Sequence, residues 1–365
     1  MPASFGNRRR QSLRDVFHGI VTRAGDWPAD ALLIAGDLFE ADRVTRDTVA
    51  FLKAEFASIP HVSVVIAPGN HDPFTPTSPY ATETWPVNVK IFTKPEWESV
   101  DLCDGALVVH GFGFDGPDVS QNPYGSLRLP EDDAVHVAVA HGSERGHQPE
   151  GKEQYAPFDA AAMAHDRLAY VALGHFHSFT PIGGPYKTKL AYSGSPEGLG
   201  FRETGEHHHV EVTIENGNAE VQPVASSRVM YATHEVNCAG MESSQDIVRA
   251  LREYAQAAGK RLVARVALTG HSTVDVGAEL ESINDAVAGH FEFLELQDFT
   301  EAPDDFDALA REETSLGLFV RALNDEIGDQ PEAVRLEMVT RARELGVAAF
   351  RDRRLSIRGL EREDS

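Results

Sequence analysis

Four apolar runs in this chain stop on the same kind of residue. "DALLIAGD" ends on Gly36-Asp37, and "HVSVVIAPGNHD" ends on Gly69-Asn70-His71-Asp72. "VHVAVAHG" ends on His141-Gly142, and "LAYVALGHFH" ends on Gly174-His175-Phe176-His177. Short, nearly continuous apolar runs are strands buried on both faces, in sheets covered by helices or by a second sheet. In α/β sheets ligands bind in the crevice beyond the carboxyl ends of the strands. Glycine lets the backbone turn sharply there and lets other groups approach closely. The repeated arrangement therefore calls for an α/β fold in which neighbouring strands deliver their last residues to one place.

The remaining pattern agrees. "RVTRDTVAFLKAEFASI" places Val49, Leu52 and Phe56 at helical spacing. "HHHVEVTIENGNAEVQPV" alternates on either side of Asn216-Gly217 and reads as a β-hairpin. A composition shift comes near residues 226–232. Beyond it "VMYATHEVN" reads as a strand, and "SSQDIVRALREYAQAAG" as a helix capped by Ser243 or Ser244 and stopped by Gly259. "RLVARVALTG", a helix near 276–288 and "FEFLELQDF" complete a small α/β unit. From Asp304 the pattern is helical, with a last helix opening around Pro331. Three parts are expected: a main domain over 1–226, a capping domain over 227–303 and a helical region over 304–365.

Charge narrows the function. There are 33 Lys+Arg against 57 Asp+Glu, a formal charge of −24. Such a surface repels nucleic acid over most of its area, so any nucleic-acid role needs local basic patches, bound metal or a partner. Two patches exist: Arg8-Arg9-Arg10 with Arg14, and Arg351, Arg353, Arg354 with Arg358. The second reads as a solvated face. No apolar run reaches the roughly 20 residues of a membrane span. The opening "MPASFGNRRRQSLRD" has no apolar core of a secretory signal. Two cysteines, Cys103 and Cys238, form no disulfide framework, which suits a reducing cytoplasm.

The residue types at the strand ends belong together chemically. Imidazole with carboxylate suits manganese, iron or zinc. Asp37 can bridge two metals, and Asn70 can offer a neutral carbonyl oxygen. Two metals ~3.5–4 Å apart can clamp an in-line attack on phosphorus. One histidine is then free to protonate the leaving group.

The ordered set "GDLFE", "PGNHD", "AHG" and "GHFH" resembles the successive motifs of the calcineurin-like metallophosphoesterases. The stretch "LAYSGSPEGLGFRETGEHHHVEV" narrows the resemblance to the SbcD-type DNA-repair exonuclease branch, with its YhaO-like members. The likeness covers residues 1–225 well and the next unit weakly. It implies a four-layer α/β/β/α sandwich with a small α/β cap and a helical tail. It implies that Asp37 bridges two divalent ions, manganese by expectation, and that Asn70, His141 and His175 complete the second ion's shell. His177 would ligate the first ion. His71 would bind no metal but stabilise the transition state and protonate the leaving oxygen, and Asp72 would orient His71. Arg8, Arg9 and Arg10 would border the site on its first loop as phosphate contacts, with Arg202 a weaker candidate. The implied partners are DNA, a coiled-coil ATPase of the SbcC type and a second copy of the chain, with no membrane. The stripe Val334, Met338, Ala342 and Leu345 could dock to the ATPase, but the preferred expectation packs it on the chain's own domain.

The family's first strand ends in Asp-x-His, and no such motif is present. "DVFH", Asp15 to His18, has the wrong spacing and reads as an amphipathic helix. "ASFGNRRRQSLRDVF" resembles the segment that family members carry directly after that motif. The expectation is that the first residue here is internal to a longer natural chain; the alternative is a member with a degraded first site. Either way the second metal's ligands are complete, while the first keeps only Asp37 and His177. A gap or a new edge is expected in the sheet.

Other histidines carry no such role. His110 ends a strand much as His141 does, but the family spacing favours His141. His207, His208 and His209 are adjacent in a hairpin strand and point to opposite faces. The expected function is metal-dependent phosphodiester hydrolysis on DNA ends, in repair or recombination. The alternatives are a general phosphatase or phosphodiesterase of the same superfamily, and a catalytically impaired subunit with a scaffold role.

Overall fold

A computed structural model describes residues 3–116, 119, 122–125, 127–147, 154–259, 261–328 and 333–351. Two compact units are present. The first takes Met1–Val236, Val248–Ala267 and Glu281–Gln297; the second takes Asn237–Ile247, Leu268–Leu280 and Asp298–Ser365.

The chain opens with helix α1, Ala3–Asp26. Its buried positions Phe5, Arg9, Val16, Val21 and Ala24 fall on one helical face. Strand β1, Ala31–Ile34, comes next, then α2, Arg46–Ser58, and β2, Ser63–Ile66. Val49, Leu52 and Phe56 of α2 are buried as expected, and Thr45 caps the helix by accepting the Thr48 N–H. A short α3, Pro79–Thr82, leads to β3, Val89–Ile91. The first sheet is parallel in the order β1-β2-β3.

The second sheet holds β4 (Trp97–Leu102), β5 (Leu107–Phe112), β6 (Val135–His141), β7 (Leu168–Gly174), β8 (Thr180–Ile182) and β9 (Lys189–Tyr192), with a short α4, Ala160–Met163, between β6 and β7. Its order is β4-β5-β6-β7-β9-β8. The hairpin is β10, His208–Glu215, with β11, Asn218–Ala225. Its turn residues Asn216 and Gly217 both have positive φ, 51° and 73°, as a two-residue hairpin loop of this twist requires.

One apolar cluster joins these layers. Val65 and Ala67 meet Val109, Val137, Val139 and Tyr170, with Ala31 and Leu33 of β1 and Val212, Ile214, Ala219 and Val221 of the hairpin packed on it. Leu32 and Ile34 turn the other way, toward Val21, Phe56 and Ile66. That alternation is the strand period, with both faces covered. Among the described residues β1 is paired on one side only, by β2, and the hairpin strands pair only with each other.

Beyond the hairpin come β12 (Val229–Asn237), α5 (Ser244–Ala257), β13 (Arg261–His271), α6 (Val276–Val287) and β14 (Phe293–Glu301), with sheet order β12-β13-β14. In the first turn of α5, Asp246 accepts the N–H and hydroxyl of Ser243 just before the helix, and Gly259 comes after the helix with φ 65°. Within the first unit Phe5 packs with Val229, Tyr231 and Val263.

The second unit carries α7 (Phe306–Ala310), α8 (Ser315–Gly328) and α9 (Ala333–Phe350). Leu309, Val320 and Val347 form its core. The expected packing stripe on α9 is corrected. Met338 is 67% exposed and Ala342 is not buried, whereas Val339 and Val347 are buried. The Arg343 guanidinium lies 3.8 Å over the Phe306 ring, so the inward face is rotated from the one read off hydrophobicity. The expected helix opening at Pro331, the side chain of Val334, and Arg353, Arg354 and Arg358 lie outside the described residues. Among the described residues no helix is long and apolar enough to cross a membrane.

Candidate metal centre

Register brings the motifs together. β1 and β2 run parallel with Ile34 opposite Ile66, so Gly36-Asp37 and Gly69 to Asp72 leave the sheet at one edge. In the second sheet His141 stands opposite Gly174, and His175 comes at once after it. The two edges then meet almost without clearance. A Cβ on Gly174 would lie 1.7 Å from the Ala35 carbonyl oxygen, and one on Gly36 would lie 2.4 Å from His141 Nδ1. Gly36 also has φ 82°. Glycine closes these strands because nothing larger fits between them. Asp37 and His175 take positive φ of their own, 56° and 111°. Such backbone is uncommon outside glycine and clusters at functional sites.

His141 is fully buried. Its Nδ1–H donates to the Ala35 carbonyl at 2.7 Å, which turns Nε2 toward Asn70 Oδ1 at 2.9 Å and Asp37 Oδ2 at 3.3 Å. The ligand atoms of Asp37, His141 and His175 all lie within 4.8 Å of one another. Burial alone would push the Asp37 carboxyl up, but the His141 hydrogen bond and charge outweigh it and hold it down to about 2. Burial likewise works against a charged His141, yet the Asp37 partner lifts it above the ordinary histidine value. With Nδ1 committed to a carbonyl, the groups that converge are an imidazole Nε2, a carboxylate and an amide oxygen. Their lone pairs repel unless a proton or a cation sits among them. The donor set fits a divalent ion of the manganese, iron or zinc kind.

The role expected of Asp72 is corrected. Asp72 is fully buried, and it does not face His71. Its Oδ1 accepts the N–H groups of Asp37 (2.9 Å) and Gly69 (2.7 Å), and its Oδ2 accepts the Leu38 N–H (2.8 Å) and the Tyr80 hydroxyl (2.7 Å). It fastens the two ligand-bearing turns to each other. Burial raises its pKa even against those four donors. The carboxylate beside His71 is Glu40, with Oε2 2.9 Å from Nδ1. The His71 N–H donates to Asp37 Oδ1 at 2.9 Å. Sequence reasoning misses Glu40, although it closes the motif "GDLFE" three residues after Asp37.

His177 stands outside the three-residue cluster. Its Nδ1 lies 2.6 Å from Glu203 Oε1, and the Glu203 carboxyl, which burial would raise, is held below its ordinary value chiefly by that hydrogen bond.

The arginines expected to border the site sit in a helix, not a loop, and serve the fold. Arg8 pairs with Glu292 at 2.6 Å. Arg9 is buried and pairs with Glu197 at 2.6 Å. Arg10 bonds Asn7 on its own helix. Arg202 lies on the loop after β9. His110 is buried in a chain of hydrogen bonds that runs Ser99, His110, His136, Asp132, with steps of 2.8, 2.9 and 2.9 Å. His208 and His209 open β10, while His207 precedes it and donates from Nδ1 to the Ser195 carbonyl.

Residues 6–179 match the family model described as calcineurin-like phosphoesterase. The chain is also 29% identical over 199 residues to the uncharacterized metallophosphoesterase YhaO of Bacillus subtilis (strain 168). That match covers 52% of this chain and 46% of YhaO, so the chain spans about half the length of this curated relative.

Proposed function

The chain belongs to the calcineurin-like metallophosphoesterases, and on that premise we propose that it hydrolyses phosphoesters with divalent cations, manganese by choice, held at Asp37, Asn70, His141 and His175. One observation carries the reading: the convergence of Asp37, His141 and His175 within 4.8 Å, with His141 buried and the other two partly so. The cations, when bound, supply Lewis acidity toward the phosphoryl oxygens and lower the pKa of water. The chain's own residues do the rest. Asp37 spans the site from the first sheet, and Asp72 locks the turn that presents it. His71 projects half-exposed beside the site and, as the imidazolium, gives its Nε2 proton to the leaving oxygen. Glu40 holds that imidazole at Nδ1 and leaves Nε2 for the substrate. His177 would be a ligand of a second cation.

The test is cleavage of a chromogenic phosphodiester with added manganese, for the wild type and for His71→Ala. Activity is expected only with metal and only with His71. Undiminished hydrolysis by His71→Ala would sink the mechanism.

A second, finer reading is a DNA exonuclease of the SbcD type. It is favoured by the "GSPEGLGFRETGE" loop and closing hairpin, which come after the last motif as in that branch. It would bring the four-layer α/β/β/α arrangement, a cap over 227–303, a helical region over 304–365, a coiled-coil ATPase partner and a homodimer. The partner would supply positive surface to a chain of charge −24. Duplex DNA compared with the chromogenic ester separates the two readings. Preference for the small ester returns the assignment to a general phosphodiesterase.

A further inference from the structure

His177 leaves the second sheet just past β7, and about a third of its side chain is exposed. A neutral imidazole has one ring proton. A carboxylate 2.6 Å from Nδ1 draws that proton to Nδ1, and Nε2 keeps its lone pair. An imidazole left free on the surface would divide between tautomers and turn about its side-chain bonds.

Glu203 is itself fixed in place. Its second oxygen, Oε2, accepts the Leu199 N–H at 2.9 Å, and its own N–H donates to the Gly200 carbonyl at 2.9 Å. The loop that bears it is tied at its start, where the Ser195 N–H donates to the His177 carbonyl at 3.0 Å. It is tied again to α1. Arg9 donates to Glu197 Oε1 at 2.6 Å and to the Gly198 carbonyl at 2.7 Å. Ser12 donates its hydroxyl to the same Glu197 oxygen at 2.6 Å. Glu197 is 1% exposed and Arg9 8%. A buried ion pair satisfied on both partners is costly to break and holds its geometry. The path from α1 through Arg9, Glu197 and the loop to Glu203 thus ends on one ring nitrogen.

We propose that Glu203 is a positioning residue: it fixes His177 as the Nδ1–H tautomer and so keeps the Nε2 lone pair available to a divalent cation, and the Arg9–Glu197 pair anchors the loop that carries it. The metal half of this rests on the proposed function; the tautomer half does not. Carboxylate partners of ligating histidines typically contribute 10–100-fold in metal affinity.

The experiment uses the full chain in two measurements. Nitrogen-detected NMR of the histidine rings in metal-free protein, with His177→Gln to assign the signal, reads the tautomer. Calorimetric titration with manganese reads binding. The wild type should show His177 protonated at Nδ1. Glu203→Ala should mix the tautomers and weaken the binding step that His177→Gln removes, by about 10–100-fold, leaving the other step unchanged. Glu203→Gln keeps an acceptor oxygen and should restore much of the tautomer. An unchanged His177 signal in Glu203→Ala overturns the proposal. So does equal weakening of every binding step, which would mark a loop that only supports the fold. If the wild type binds no manganese, the metal reading fails, while the NMR result still decides what Glu203 does to His177.

Discussion

The Glu40 carboxylate meets the His71 imidazole at 2.9 Å, Oε2 to Nδ1, with both side chains about half exposed. So exposed a pair adds little to stability; its value is orientation. His71→Ala should lower metal-dependent hydrolysis by about 10²–10⁴-fold. Glu40→Gln, which keeps an acceptor, should lower kcat by less and leave KM nearly unchanged. Bound metal, read by elemental analysis, should be the same in both variants and in the wild type. Loss of metal from His71→Ala would move that residue into the coordination shell.

Asp72→Asn tests the fastening of the two turns. An amide can accept on one side only, so its NH₂ must face either the Asp37 and Gly69 N–H groups or the Leu38 N–H and Tyr80 hydroxyl. A buried donor facing donors costs about 1–3 kcal/mol. Urea unfolding should register that loss, and manganese binding should weaken with it. Tyr80→Phe removes a single donor and should cost about 1 kcal/mol. An Asp72→Asn variant as stable as the wild type would show that the carboxylate does not hold the turns.

The His110–His136 pair predicts acid sensitivity. Burial, then the neighbouring His136, depresses His110 from 6.5 to about 4, while Asp132 and Asp101 oppose the shift. The unfolded chain therefore binds a proton that the folded chain refuses between those values. Stability should be full above about pH 6.5 and fall as the pH drops toward 4, by about 3 kcal/mol for this group. His110→Gln should flatten that slope in urea titrations at about pH 7, 5.5 and 4. A wild type equally stable at both ends of that range would contradict it.

Metal uptake should release protons. His141 is lifted above the ordinary histidine value by Asp37, so protons compete for its Nε2 at higher pH than at an isolated histidine. Manganese affinity should fall steeply as the pH drops below neutral. Calorimetry in buffers of different ionisation heat should count the released proton, and His141→Gln should abolish it.

Gly174→Ala should be damaging where Gly183→Ala is mild. The first places a Cβ 1.7 Å from the Ala35 carbonyl oxygen, whereas the second meets nothing within 4 Å. Overpacking of this kind costs about 1–3 kcal/mol. It also pushes apart the edges that carry Asp37 and His175, so manganese binding should fall with thermal stability. Equal behaviour of the two variants would mean that the sheet edges have room to spare.

Much of the fold was legible because it depends on local pattern. The α2 stripe and the Asn216-Gly217 turn come from spacing and from backbone conformations that few residues accept. The ligand set was legible because a glycine-flanked polar residue at the end of a buried strand has few other uses. The α9 face was misread because the Arg343 guanidinium stacks over Phe306 and takes an inward place that hydrophobicity assigns to an aliphatic side chain. The histidine chain under β5 and β6 was missed because Ser99, His110 and His136 meet through cross-strand register, which no single run displays.

The sequence by itself determined that metal-ligating residue types close four buried strands; the choice of Asp37, Asn70, His141 and His175 among them came from the family resemblance. Only the tertiary structure decided which carboxylate serves which imidazole. Asp72 adjoins His71 in the chain yet points into the core, while Glu40 is 31 residues from His71, and Glu203 is 26 from His177. After a sharp turn neighbouring side chains diverge, so a histidine's partner is set by where another turn passes in space, not by what lies beside it in sequence.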